Sequence, residues 1–558
     1  MVKSLSPLKW AVVFCSCSYS YAGPVQVPGL QVPASAAANQ EAVKDIFLQS
    51  YNAYSQFAFG HDSLLPVSKS FVDDRNGWGA TIADALGTML LMDLTDLFDQ
   101  ALDFVSKVDF RESNTPSSVS LFETTIRYVG GMISAYELSG KQHQILVQQA
   151  QQLVDKMVFS WVEPVIALSA ISICLDVLTR VMQNQTIPFG EIFFSNNTPI
   201  VALDVEWSRV TLYTGNQTYT KLSEGSVRTI ANLAHDLKNL GLPPQLVDPT
   251  DDMFVDAFLT WGGGTDSYLE YLIKYARITN TDDNLFADSW HAAVDSSIKI
   301  LQRVHITSTV GDHTYLADWN AGEILLEGSH LACFQGGNWI FGGKLLNNQT
   351  IVDIGLELVD ACWNTYASTE TGIGPETFAF IAQDGNFTQP TAQELAFYQE
   401  HGFWITTSDY IQRPEVLESN FYAWRATGDT KYLDRAASAI TSFQKFLVAK
   451  ETNGFAGLND VNDFNAGLED DTESFWFAEV LKYLYLTFDD PQNISLDNFV
   501  FNTEGQVFEA PPAKAVYGSG TPRSASGQFQ TKTSDGLPLP VISPDPLVTI
   551  KPGPMNGQ

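Results

Sequence analysis

The stretch Trp424-Arg425-Ala426-Thr427-Gly428-Asp429-Thr430 decides the fold. An aromatic, apolar helix end runs into a polar Gly/Asp turn, and from Ala436 to Val448 a new segment places apolar residues three and four apart. That is the pattern of an antiparallel helix hairpin. The same phrase returns in Ala135-Tyr136-Glu137-Leu138-Ser139-Gly140-Lys141 and in Ala276-Arg277-Ile278-Thr279-Asn280-Thr281-Asp282. Helical spacing also marks Leu146 to Val158 and Tyr268 to Ile278. Recurrence at wide intervals predicts an all-α protein of hairpins arrayed about an axis, helical from about 41 to about 505. The turns alone leave an open solenoid and a closed toroid as alternatives.

Set among these helix signals are carboxylates in aromatic or glycine-rich phrases. Glu123 lies in Ser120-Leu121-Phe122-Glu123-Thr124-Thr125-Ile126-Arg127, and Asp266 and Glu270 in Gly264-Thr265-Asp266-Ser267-Tyr268-Leu269-Glu270-Tyr271. Glu376 follows Gly374-Pro375, Glu415 and Glu418 share Arg413-Pro414-Glu415-Val416-Leu417-Glu418-Ser419, and Glu504 ends Asn502-Thr503-Glu504. An ionised group among large apolar side chains is costly unless it is paired, hydrogen-bonded or used chemically. The pattern therefore predicts an acidic pocket rather than a solvated face. Glu123 and Arg127, four apart, share a helical face, as do Asp266 and Glu270. The bland reading of the first pair is an ordinary ion pair. Tyr268, Tyr271 and Tyr275 suit sugar stacking and a helix interface equally. Pro414 fits a first helical turn, which puts Glu415 near a positive helix N-terminus and biases its pKa downward. That favours a base over an acid, with plain helix capping as the alternative.

With 558 residues, 45% of them hydrophobic, the chain can build a large core. A net charge of −33 argues against nucleic acid, whose phosphates need clustered Lys and Arg. Lys3 and Lys9, the short apolar run Trp10 to Tyr21 and the small residues Ala22-Gly23 predict a signal peptide over 1–22, an uncleaved anchor being the alternative. Six sequons, at Asn184, Asn196, Asn216, Asn348, Asn386 and Asn493, fit an N-glycosylated protein of the secretory pathway, secreted or in the Golgi lumen. Losing Cys15 and Cys17 with the leader leaves three cysteines. Cys174 sits in an apolar run and reads as a buried thiol, which pairs Cys333 with Cys362. No nucleophile elbow, His-Glu-x-x-His or clustered zinc spacing is present. A hard, oxygen-held cation such as calcium suits the acid-rich chain, but without an EF-hand loop its site must be assembled from distant residues.

Together these phrases resemble class I α-1,2-mannosidases, glycoside hydrolase family 47, of the secreted fungal type, from about Tyr51 to Glu504. Matching too are Gly60-His61-Asp62-Ser63-Leu64-Leu65-Pro66-Val67-Ser68, Ile82-Ala83-Asp84-Ala85-Leu86, His330-Leu331-Ala332-Cys333-Phe334-Gln335-Gly336-Gly337 and Glu473-Ser474-Phe475-Trp476-Phe477-Ala478-Glu479-Val480. The resemblance implies an (αα)7 barrel plugged by a β-hairpin, with Ca2+ at the base of the cavity. It implies inverting removal of terminal α-1,2-linked mannose from Man9-type N-glycans. No stretch after the leader is long and apolar enough to span a bilayer, and a monomer is expected. By motif match Glu123 is the general acid, acting through a water or in concert with Asp266, and Glu415 is the base. Glu376 is a further pocket carboxylate. Thr503 matches the direct calcium ligand, and Glu418, Glu479 and Glu504 match acids that hold the metal's waters. Phe475 matches the ring beneath the mannose, Arg127, His330 and Arg413 match substrate-orienting residues, and Cys333–Cys362 matches the family's disulfide. There are departures: Gly505-Gln506-Val507 replaces the usual Ala-His-Pro, and Gly87 stands where Asp is common. Gly262-Gly263-Gly264 replaces an arginine-containing phrase, so weaker discrimination among glycan branches is expected. The alternatives are a catalytically silent, mannose-binding protein of glycoprotein quality control and an unrelated toroidal glycosidase.

The flanks read differently. Residues 23–40 are expected to be an extended lead-in to a catalytic domain over 41–507. The β-branched stretch 186–222 is expected to hold short strands or a hairpin, and 508–558, rich in Gly, Pro, Ser and Thr, a disordered tail.

Overall fold

The computed structural model describes residues 23–520 except 118, 162–169, 174–191, 195–197, 238, 249–252 and 306–307. The leader, Cys174, Asn184, Asn196 and the tail beyond 520 lie outside the described residues.

Seven helices make an inner ring: Ala80–Leu91, a continuous helix over 121–138, Asp204–Thr214, Asp266–Thr279, Phe334–Leu345, Glu415–Thr427 and a continuous helix over 476–488. Each packs on the next, and the last returns to the first, so the array closes into a toroid. Seven more line the outside: Ala36–Phe57, Thr95–Val105, Gln144–Met157, Gln217–His235, Leu285–Ile300, Gln349–Ala367 and Lys431–Phe446. Each outer helix pairs with an inner one: six pairs are hairpins of consecutive helices, and the seventh joins Ala36–Phe57 to the 476–488 helix from the other end of the domain. The layers differ as burial demands. Outer helices bury one stripe, such as Phe98, Ala101 and Val105, whereas Phe334–Leu345 is buried along nearly its whole length. The expected hairpin turns carry left-handed residues, with φ of 72° at Gly428, 49° at Asn280 and 69° at Gly140.

The plug is an antiparallel hairpin, Phe499–Phe501 paired with Val507–Glu509 in the register Phe501↔Val507. It packs against the Asp266–Thr279 helix on one side and the 121–138 helix on the other. The disulfide joins Cys333, just before an inner helix, to Cys362 on the adjacent outer one, with Cα atoms 6.0 Å apart. It closes 29 residues of sequence separation, and in the chain-entropy picture such a loop stabilises by about 3–4 kcal/mol. No helix among the described residues is long and apolar enough to cross a membrane.

Three expectations need correction. The lead-in is not extended throughout, because the first outer helix begins at Ala36. Strands occur at Ile192–Phe194 and Thr198–Pro199, but from Asp204 the β-branched stretch is helical. Buried Asp204, Glu206 and Arg209 beside exposed Leu212 invert the usual helical pattern and hide its period. Residues 508–520 are not disordered. Val507–Glu509 is a plug strand, and the following segment is held where Tyr517 Oη donates to Asn280 Oδ1 (2.7 Å) and Lys514 Nζ to the Thr281 carbonyl (2.8 Å).

Candidate active site

The first turns of the inner helices bring the sequence-marked acids together. Ser120 caps the 121–138 helix by accepting from the Glu123 amide, which fixes Glu123 at the helix start. Immediately after it the backbone widens into a π-turn over Thr124–Val129, and a second π-turn covers Trp476–Val480. Such insertions re-aim side chains and recur at functional sites. Here they carry Arg127 and Glu479 inward.

Arg127 is the hub. Its Nε donates to Glu123 (2.7 Å), while Nη1 donates to Ser474 (3.1 Å) and to Glu504. Its guanidinium also lies over the Phe475 ring, 5.6 Å from the centroid. Burial works to raise the Glu123 pKa, but the charges of Arg127 and Arg75 outweigh it and hold this carboxyl below the usual range. Asp266, at the first residue of its helix, has the opposite fate. Burial pushes it up to about 7, with the negative charges of Glu270 and Glu415 adding to the rise.

Glu415 opens its helix directly after Pro414, as the sequence suggested. One carboxylate oxygen pairs with His330 Nδ1 at 2.7 Å, and the other lies 3.6 Å from Arg413. Burial opposes ionisation, yet the His330 hydrogen bond and the Arg413 charge win and lower its pKa. Arg413 Nε also donates to both oxygens of Glu376 (2.8 and 2.6 Å). His330 is held from behind by Tyr366 Oη, 2.8 Å from Nε2. Sequence reading missed Tyr366, which sits on an outer helix with no motif to mark it.

Below this layer is the plug's tip. Asn502 folds the turn by accepting from the Glu504 and Gln506 amides (3.0 and 2.7 Å), and Gly505 takes φ 63°. The Thr503 amide donates to Tyr271 Oη (3.1 Å), whereas its hydroxyl and carbonyl make no hydrogen bond to a described residue. Around the tip lie the buried acids Asp84, Glu206, Glu270, Glu418, Glu479 and Glu504, facing the cations Arg127, Lys274 and Lys482. Negative charge is in excess. Burial first, then Glu504, Glu418 and Glu415, push Glu479 well above the carboxylate range. Burial also lifts Glu206 to about 7, and one of its oxygens has no partner. Sequence reading missed Glu206, hidden in the stretch expected to be strand, and the motif Ile82-Ala83-Asp84-Ala85-Leu86 gave Asp84 no role.

These donors fit a calcium ion. They are all oxygens, the charge deficit is positive, and Thr503 offers two uncommitted oxygens at the centre. No three acidic, His or Cys side chains among the described residues converge as direct ligands, so the carboxylates would act through the ion's waters. The departures at the plug are accommodated as a pair. A Cβ on Gly87 would lie 3.4 Å from Gln506 Oε1. With Gly there, Gln506 fits fully buried and bridges, donating to Asp84 (3.3 Å) and accepting from Lys482 (3.3 Å).

Of the glycosylation candidates, Asn386 and Asn493 are exposed, while Asn216 and Asn348 are half-buried helix N-caps.

Comparison with known proteins agrees with this geometry. The chain is 37% identical over 523 residues to the probable mannosyl-oligosaccharide alpha-1,2-mannosidase 1B of Aspergillus niger, covering 90% of this chain and 97% of that one. It is 38% identical over 491 residues to the mannosyl-oligosaccharide alpha-1,2-mannosidase 1B of Emericella nidulans, covering 84% and 92%. Among solved structures, the alpha-1,2-mannosidase from Trichoderma reesei superposes with a TM-score of 0.78 at 34% identity, over 87% of this chain and all of that one. Residues 46–510 match glycosyl hydrolase family 47, and the chain belongs to that family.

Proposed function

We propose that this protein is an inverting, calcium-dependent exo-α-1,2-mannosidase that trims Man9-type N-glycans in the secretory pathway. The observation that carries the reading is the contrast between its two helix-starting acids. Glu415 is ionised and oriented by His330, whereas Asp266 keeps its proton near neutrality. Inverting hydrolysis needs that division, one carboxylate to activate water and one acid to protonate the leaving oxygen. Glu415 takes the water's proton. The proton for the departing sugar comes from Asp266, with ionised Glu123 orienting a water on the path. Arg413 holds Glu376 and Glu415 in fixed rotamers, and Phe475, steadied by Arg127, forms an apolar floor for the mannose. Calcium bound by Thr503, with Glu418, Glu479 and Glu504 on its waters, would supply positive charge to hold the sugar's hydroxyls.

The test is mannose release from Manα1,2Man and from Man9GlcNAc2, with and without EDTA, beside Glu415→Gln. Release that needs calcium and falls about 10³–10⁴-fold in the variant is the expected result. Glycan binding without release would favour the silent-lectin reading instead.

A further inference from the structure

A second cavity, of about 460 Å³, lies behind the catalytic residues. Its floor is buried and mixed: Trp261, Trp404 and Leu316 supply apolar surface, and Gln335 supplies an amide. Its mouth is exposed and polar, with Glu327, Thr406 and Thr407 at the rim. Gln335 is 5% exposed, and its Oε1 has no hydrogen-bond partner. That oxygen is turned away from solvent, and Gln335 presents the rest of its side chain to the cavity. Asp318, also on the wall, is pushed up to about 7, mainly by burial, and would present a hydroxyl donor at mildly acidic pH.

The cavity shares walls with the active site. Ser329 precedes His330, and Thr377 follows Glu376. Consecutive Cα atoms are about 3.8 Å apart, so on these sides one residue separates the two chambers. Aromatic rings beside hydroxyls, an amide and carboxyls are the chemistry that recognises a pyranose, and the volume lies in the range of ligand pockets.

We propose that this cavity is a second sugar subsite, taking a mannosyl arm of the branched oligosaccharide other than the one being cut. This rests on the mannosidase reading, and the two can fail separately. If wild-type protein releases no mannose from Manα1,2Man, that reading fails. If it does, the subsite is tested with Gln335→Leu, and with Thr406→Tyr, which narrows the mouth from an exposed position. Both variants are expected to raise KM for Man9GlcNAc2 about two- to tenfold with kcat kept, the scale of one neutral hydrogen bond. Kinetics on Manα1,2Man, too short to span both chambers, should not change. Equal losses on both substrates, or no change on either in both variants, would overturn the proposal. A common fall in melting temperature identifies a folding defect in Gln335→Leu, and Thr406→Tyr then decides.

Discussion

The same inner helices bury charge at both ends, in opposite ways. At their starts, Asp266–Thr279 and Glu415–Thr427 carry Asp266, Glu270, Glu415 and Glu418, and at their finishes Arg277 and Arg425. Both placements suit the helix dipole. Arg425 is fully buried and tied to backbone: it donates to the carbonyls of Pro491, Ile494 and Leu486 and to Gln26 Oε1, all at 2.8–3.0 Å, and leaves Nε unpartnered. Arg277 similarly donates to the Pro511 and Asp497 carbonyls. These arginines fasten both chain ends of the domain across the closed face. At the open face, Glu479 receives no hydrogen bond from a described residue, and Glu206 keeps an orphan oxygen. Charge bonded to backbone carbonyls holds the barrel together, and the crowded acids around the plug's tip are left for a ligand.

The contrast can be broken at several depths. The largest effect belongs to Asp266→Asn, expected to lower kcat/KM about a thousandfold while leaving the melting temperature near wild type. The pH profile adds a sign. An acid must be protonated to work, so wild-type kcat/KM should fall as pH rises through about 7, and the variant should lack that limb.

Next is Arg425→Met, which orphans three carbonyls and an amide oxygen. Relief of burying a charge offsets part of the penalty, leaving a loss of about 3 kcal/mol in chemical denaturation. Activity per folded molecule should be unchanged. A drop in kcat instead would mean that the closed face also shapes the site.

Smaller still is Glu479→Gln, expected to weaken calcium binding by about 10–100-fold in calorimetry. Without calcium, the raised carboxyls at the plug make stability depend on pH. Groups with pKa raised on folding contribute stability below the ordinary value of 4.5, and it is lost as pH climbs toward about 8, the value for Glu418. EDTA-treated protein should therefore melt lower at pH 8 than at pH 5, with calcium restoring more at pH 8. At a hundredfold excess over Kd, calcium should restore about 2.7 kcal/mol. The variant should show a shallower pH slope.

Much of this was readable from the chain because turns and acids advertise themselves. Gly428, Asn280 and Gly140 each supply a left-handed residue, so the hairpins were evident. Whether they close was not, since closure depends on the last inner helix meeting Ala80–Leu91 across nearly 400 residues of chain. Glu415 was legible because proline fixed its position. Glu206 was not, because its helix buries Asp204, Glu206 and Arg209 and exposes Leu212, which scrambles the polar period. Tyr366 and Lys482 act from ordinary apolar helices, and only the folded arrangement shows whom they meet. Gln506 looked like a lost support until Gly87 was found opposite it.

The most direct test of the central claim, that Glu415 activates a water rather than attacking the sugar, is the anomer first released. Manα1,2Man hydrolysis followed by proton NMR in the opening minutes should show β-mannose ahead of mutarotation. Initial α-mannose would require a covalent intermediate and would contradict the account.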